Sequence, residues 1–106
     1  MKATFYIARN PTVAARKFDG EMMIMSCRDS TLFTLDEIGT TIWESANGLV
    51  SLAEIVASNI CTDFDVQYER ALLDAEAFAE ALAERGIVLI SSDPIPYSDL
   101  IVGLPA

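Results

Sequence analysis

The sequence contains no histidine. That absence removes the commonest general base, the commonest zinc ligand and every Ser-His or Cys-His nucleophile pair. Cysteine is nearly as scarce. Cys27 and Cys61 lie far apart, without the CxxC spacing of a structural zinc site, and read as small buried hydrophobes rather than as a disulfide. No GxGxxG or GxxxxGK[ST] loop is present to cradle a phosphate. No apolar run approaches the roughly 20 residues of a membrane span. The opening MKATFYIARNP has neither the apolar stretch nor the cleavage site of a signal peptide. The expectation is a cytoplasmic protein, not an enzyme, with no cofactor, no metal and no membrane partner.

Basic residues are also few, seven against sixteen acids for a net charge of −9. Five of the seven (Lys2, Arg9, Arg16, Lys17, Arg28) fall in the first 28 residues; only Arg70 and Arg85 come later. Nucleic-acid affinity depends on neutralising phosphates, and most of this chain repels them. The carboxylates themselves offer conceivable acid/base pairs, Asp63 with Asp65 or Glu69 with Glu76. They read more simply as solvated caps and helix faces. The stretch from Thr62 to Glu69 lacks the glycine and spacing of a calcium loop.

What is present fits one domain of 106 residues, 52% of them hydrophobic, with a single core. Asp19-Gly20 joins two β-prone runs, Val13–Phe18 and Glu21–Cys27, as a tight hairpin whose turn needs φ > 0. A two-residue turn sets Phe18 opposite Glu21, Lys17 opposite Met22 and Arg16 opposite Met23. The run Met22–Met25 is apolar on both faces, so one face packs on helices and the other meets a chain terminus or a partner. After a turn at Arg28-Asp29-Ser30, Thr31–Leu35 completes a three-stranded antiparallel meander as an edge strand.

Asp36 caps a first helix, Glu37 to Ala46, stopped by Asn47-Gly48. Gly39 falls early in it, where a missing side chain permits close packing. Ser51-Leu52-Ala53-Glu54 is a capping-box pattern opening a second helix to Ile60, which buries Leu52, Ile55, Val56 and Ile60. Asp65 caps the third, Val66 to Arg85, ended by Gly86, with Ala71, Ala75, Phe78 and Leu82 as its apolar stripe. Tyr68, Leu72 and Ala79 widen that stripe on one flank, with Glu69 and Glu76 beyond. Ile87–Ile90 is a short terminal strand. The predicted fold class is α+β and winged-helix-like: a meander, three helices and a terminal strand. The division is an N-terminal arm over 1–12, a domain over 13–90 and a Pro-containing tail over 91–106, in which Tyr97–Val102 is β-prone enough to lie in a groove.

The order VAARKFDGEMMIM, TLFTLDEIGTTIWE, NG, SLAEIVASNI and FAEALAERGIVLI resembles the PqqD-like family, the RiPP recognition elements. The resemblance covers roughly residues 11 to 90. Its most specific part is Leu35-Asp36-x-x-Gly39-x-x-Ile42-Trp43-Glu44 followed by Asn47-Gly48. Asp36 stands where the family usually has Asn, a mild change because either accepts a cap hydrogen bond. Cys27-Arg28-Asp29-Ser30 stands where genuine pyrroloquinoline-quinone proteins have a Pro-Glu-Arg segment, which points to a divergent relative.

The resemblance implies a protein that binds the leader segment of a precursor peptide as an added strand and presents it to a modifying enzyme. It places the peptide on Thr31, Leu32, Phe33, Thr34 and Leu35, with Tyr68, Glu69, Leu72 and Glu76 lining the other wall. Two alternatives stand beside it. A winged-helix DNA-binding regulator would need a basic recognition helix, and residues 65–86 carry six acids and two bases. A small oligomerisation or adaptor protein, a homodimer through Met22–Met25, would need no peptide.

Overall fold

The computed structural model describes residues 5–26 and 31–96. Six strands, β1 (Tyr6–Arg9), β2 (Ala14–Phe18), β3 (Glu21–Met25), β4 (Leu32–Leu35), β5 (Asn47–Ser51) and β6 (Val88–Ser91), form two antiparallel three-stranded sheets, β2-β3-β4 and β5-β1-β6. Three helices, α1 (Glu37–Ser45), α2 (Leu52–Ile55) and α3 (Tyr68–Glu84), complete the α+β architecture expected from the sequence. Among the described residues no helix is long and apolar enough to cross a membrane.

The hairpin forms in the expected register, Phe18 opposite Glu21, Lys17 opposite Met22 and Arg16 opposite Met23. Asp19 and Gly20 take φ of 54° and 83°, the backbone a tight right-twisted turn requires. Met22, Ile24 and Leu35 point into the core formed with Ile42, Trp43, Leu52, Ile55, Val56 and Ile60. Strand β2 overhangs it, all five residues exposed. Cys61 is a half-buried free thiol; the readings on Cys27, Arg28–Ser30 and Tyr97–Val102 fall outside the described residues.

The helix caps divide. Asp36 accepts from the Gly39 amide at 2.8 Å and Ser51 from the Glu54 amide at 3.2 Å, as their sequence patterns indicated. Asp65 does not cap α3: the helix begins at Tyr68 behind Gln67, which makes no side-chain cap bond. The chain before it folds back instead, with the Val66 amide donating to the Phe64 carbonyl at 3.0 Å, a three-residue turn. The second helix also differs from a regular one, because α2 passes into a π-helical turn over Val56–Ile60. Its four expected core residues are nonetheless buried. At the far end, Gly86 adopts φ 74° and α3 stops there as read.

The sheet β5-β1-β6 corrects the division into arm and domain. Residues 6–9 are the central strand of that sheet, and Phe5, Ile7 and Ala8 are buried. The Arg9 guanidinium donates to the Trp43 and Glu44 carbonyls at 3.0 and 2.6 Å, capping the C-terminus of α1. The start of the tail is fixed as well: the Ile95 amide donates to the Gly48 carbonyl at 2.7 Å.

Candidate peptide-binding groove

Strand β4 lies at the edge of its sheet, and among the described residues nothing pairs with its outer side. The ladder with β3 decides which of its groups are available. The Ser26 amide donates to the Thr31 carbonyl at 2.9 Å. In an antiparallel pair the bonded residues alternate, so Thr31, Phe33 and Leu35 turn their backbone groups to β3. Leu32 and Thr34 turn theirs to the open edge. The last rung is closed unusually: the Met22 amide donates to the Thr40 hydroxyl at 2.9 Å, and that hydroxyl donates to the Leu35 carbonyl at 3.2 Å. Buried Thr40 thereby locks the start of α1 against the end of β4.

The two edges of this sheet are not equivalent. β2 carries Arg16 and Lys17, and charge on an edge discourages another strand from pairing. Lys17 is also engaged by Glu44 at 3.2 Å. β4 carries no charge at all (Leu32, Phe33, Thr34, Leu35). Of the two, β4 is the edge without charged side chains.

Beside the end of β4 opens a cavity of about 300 Å³ between α1 and α3. Ile38, Gly39 and Ile42 of α1, Ile60 and Val66, and Ala71, Ala75 and Phe78 of α3 make its apolar lining; Asp36, Arg70 and Asp74 stand at its polar rim. Arg70 pairs with Asp74 at 3.5 Å, both side chains exposed, a pair worth little in stability. Two of the α3 residues that line it, Ala71 and Ala75, have small side chains. Gly39 approaches α3 so closely that a Cβ there would sit 3.2 Å from the Phe78 ring. Towards the other end of β4, the Arg85 guanidinium lies 5.5 Å from the Phe33 ring centroid, a cation–π contact joining strand to helix.

These contacts identify the flank of α3 that faces β4. At about 100° per residue, Ala71, Asp74, Phe78 and Arg85 fall on one side of the buried seam Leu72, Ala75, Ala79 and Leu82. Glu69 and Glu76 fall on the other side, away from the cavity. Of the other-wall set expected from the resemblance (Tyr68, Glu69, Leu72, Glu76), Leu72 shares the core cluster with Leu35, while Glu69 and Glu76 lie beyond the seam from the cavity. Leu72 is a core residue at 7% exposure. Tyr68 and Glu69 are exposed, and Glu76 holds one carboxylate oxygen buried without a hydrogen-bond partner. On β4 itself, Leu35 is core, Thr31 and Phe33 are half-buried, and Leu32 and Thr34 are exposed. The signal that could have found Ala71, Ala75 and Phe78 was the stripe itself, read as core. Two alanines in it are too small to fill the space they line.

Among the described residues no group of three or more Cys, Asp or Glu is arranged to hold a metal ion. The arrangement offers backbone pairing along a strand and burial of one or two apolar side chains beside it. The family described as "Coenzyme PQQ synthesis protein D (PqqD)" matches residues 21–88, a stretch holding β3, β4 and all three helices. Among solved structures the chain is similar to "TbiB1 in Complex with the TbiA(beta) Leader Peptide", at 26% identity and a TM-score of 0.68, covering 76% of this chain and 93% of that one. No curated protein sequence matches the chain significantly.

Proposed function

This chain belongs to the PqqD family, and from that premise we propose that it is a non-catalytic recognition domain for the leader segment of a ribosomally made precursor peptide. The leader adds as a strand to β4, and the protein presents it to a modifying enzyme in the cytoplasm, where the precursor is translated. The observation that carries this reading is the uncharged, open β4 edge beside an apolar cavity. The likeness to a protein solved with a leader peptide supports it.

The proposed contact residues are Thr31–Leu35 along the strand, with Ala71, Asp74 and Phe78 of α3 and Ile38 of α1 forming the opposite wall. Leu32 and Thr34 supply up to four backbone hydrogen bonds, about 4 kcal/mol at a net of about 1 kcal/mol each. Micromolar affinity needs about 8 kcal/mol, and ordering a flexible leader adds to the requirement. One or two leader side chains buried in the cavity supply the balance at about 1.5–3 kcal/mol each. Backbone pairing sets the position of the leader; the cavity sets which leader is accepted. The rim carries two acids, Asp36 and Asp74, against one base, Arg70, and this net negative charge favours a leader with basic residues beside its apolar anchor.

Titration of a fluorescently labelled leader, from the precursor encoded beside this chain, tests the proposal. Saturable binding near the micromolar range is expected. No detectable affinity at high protein concentration would remove it.

A further inference from the structure

We infer that the outer face of the sheet β2-β3-β4 is the docking surface for the modifying enzyme, and that the bound leader completes it. The inference rests on leader recognition at β4. Residues directly opposite one another share a face of a sheet, so Lys17–Met22–Leu35 and Ala15–Ile24–Phe33 form the inner face. Ala14–Met25–Leu32, Arg16–Met23–Thr34 and Phe18–Glu21 form the outer one. The outer face leaves three large apolar side chains exposed among Arg16, Glu21 and Thr34: Phe18 is 70% exposed, Leu32 53% and Met25 45%. Among the described residues nothing covers it. Arg16 stands on its β2 edge.

Size and position choose the occupant. Those three side chains expose on the order of 300 Å², while a stable interface needs about 800 Å² from each partner. A second copy meeting this face alone would gain too little to dimerise stably. A leader strand on β4 changes that, because alternate leader side chains project onto the same outer face about 4.8 Å beyond Leu32 and Thr34. The face then becomes a four-stranded apolar surface continuous with the leader, readable only by a partner that meets protein and peptide together. The partner that must meet both is the enzyme acting on the peptide. Its complementary surface is apolar, with a carboxylate opposite Arg16.

The test measures two affinities on the full chain: that of the labelled leader, and that of the purified enzyme encoded beside the precursor, with and without leader. Wild type should bind the enzyme at least fivefold more tightly when loaded with leader. The double variant Phe18→Ser/Met25→Ser should keep its leader affinity within twofold, with loaded-complex affinity for the enzyme falling at least tenfold. Arg16→Glu should weaken the enzyme complex too, with an effect that shrinks in high salt. Unchanged enzyme affinity in these variants overturns the inference while leaving leader recognition standing. So does a parallel loss of leader affinity in correctly folded variants, which would put the face inside the leader site. Self-association of wild type at micromolar concentration, abolished by Phe18→Ser in sedimentation, would assign the face to a second copy. If wild type fails to bind leader at all, the recognition reading falls and takes this one with it.

Discussion

Proline at three successive positions of β4 should produce three different outcomes, because the strand's backbone groups alternate in what they serve. Thr34 and Leu32 turn their amides to the open edge, whereas Phe33 turns its amide to β3. Thr34→Pro removes one donor from the leader site and leaves the β3–β4 ladder intact. One lost hydrogen bond is worth about 0.5–1.5 kcal/mol, and the proline ring also projects where a leader strand would approach. Leader affinity should fall about five- to tenfold or more, and Leu32→Pro should act similarly. Phe33→Pro removes a ladder bond inside the folded sheet, so it should lower thermal stability before any question of binding arises. Fluorescence polarisation gives the affinities, and circular dichroism with thermal melts separates the two effects. A folded Thr34→Pro protein that binds leader as tightly as wild type would refute strand addition at this edge. Equal loss of stability at positions 33 and 34 would refute the assigned alternation.

The cavity gives a second expectation: Ala71→Phe fills it from α3, so leader affinity should drop about ten- to a hundredfold by excluding one anchor side chain, while the melting temperature stays level or rises. Thr40→Val leaves the Met22 amide and the Leu35 carbonyl without their bridging hydroxyl; a buried group left unpaired costs about 1–3 kcal/mol, seen as a melting temperature several degrees lower. Gly48→Ala should destabilise more than Gly20→Ala in denaturant titration. Both glycines sit near φ +82° to +83°, but a Cβ on Gly48 would collide with the Ile95 carbonyl oxygen and one on Gly20 meets nothing.

Where the sequence spoke through adjacent residues, it spoke accurately. The Asp19-Gly20 turn dictates the hairpin, and the hairpin dictates which residues of β2 and β3 face each other. Asp36 and Ser51 sit next to the amides they cap. Where structure depends on distant segments, those signals run out. Strand β1 has only four residues, and its partners β5 and β6 come from far along the chain; no turn residue announces either pairing. Asn47-Gly48 marked the end of α1, but nothing local reveals that the same residues begin a strand and carry the tail. Asp65 shows the converse failure: a good capping residue in a plausible place, outcompeted by the turn that brings Val66 over the cavity.

The groove was legible on one side and not on the other, for a reason rooted in side-chain volume. An edge strand follows from strand order, and strand order followed from two turns. The opposite wall depends on the rotation of α3, and the hydrophobic period left that open by a flank. Leu72 and Phe78 both belong to an apolar arc; packing sends Leu72 into the core and leaves Phe78 half-buried beside Gly39. Ala71 and Ala75 favour the Phe78 flank. A stripe meant only to fill a core would carry larger side chains than Ala71 and Ala75, since tight interiors leave few voids of this size. Ala71 and Ala75 beside the Phe78 ring leave open a space next to the uncharged edge of the sheet. A peptide that pairs with that edge and lowers an apolar side chain into that space accounts for both features at once. A basic nucleic-acid surface accounts for neither.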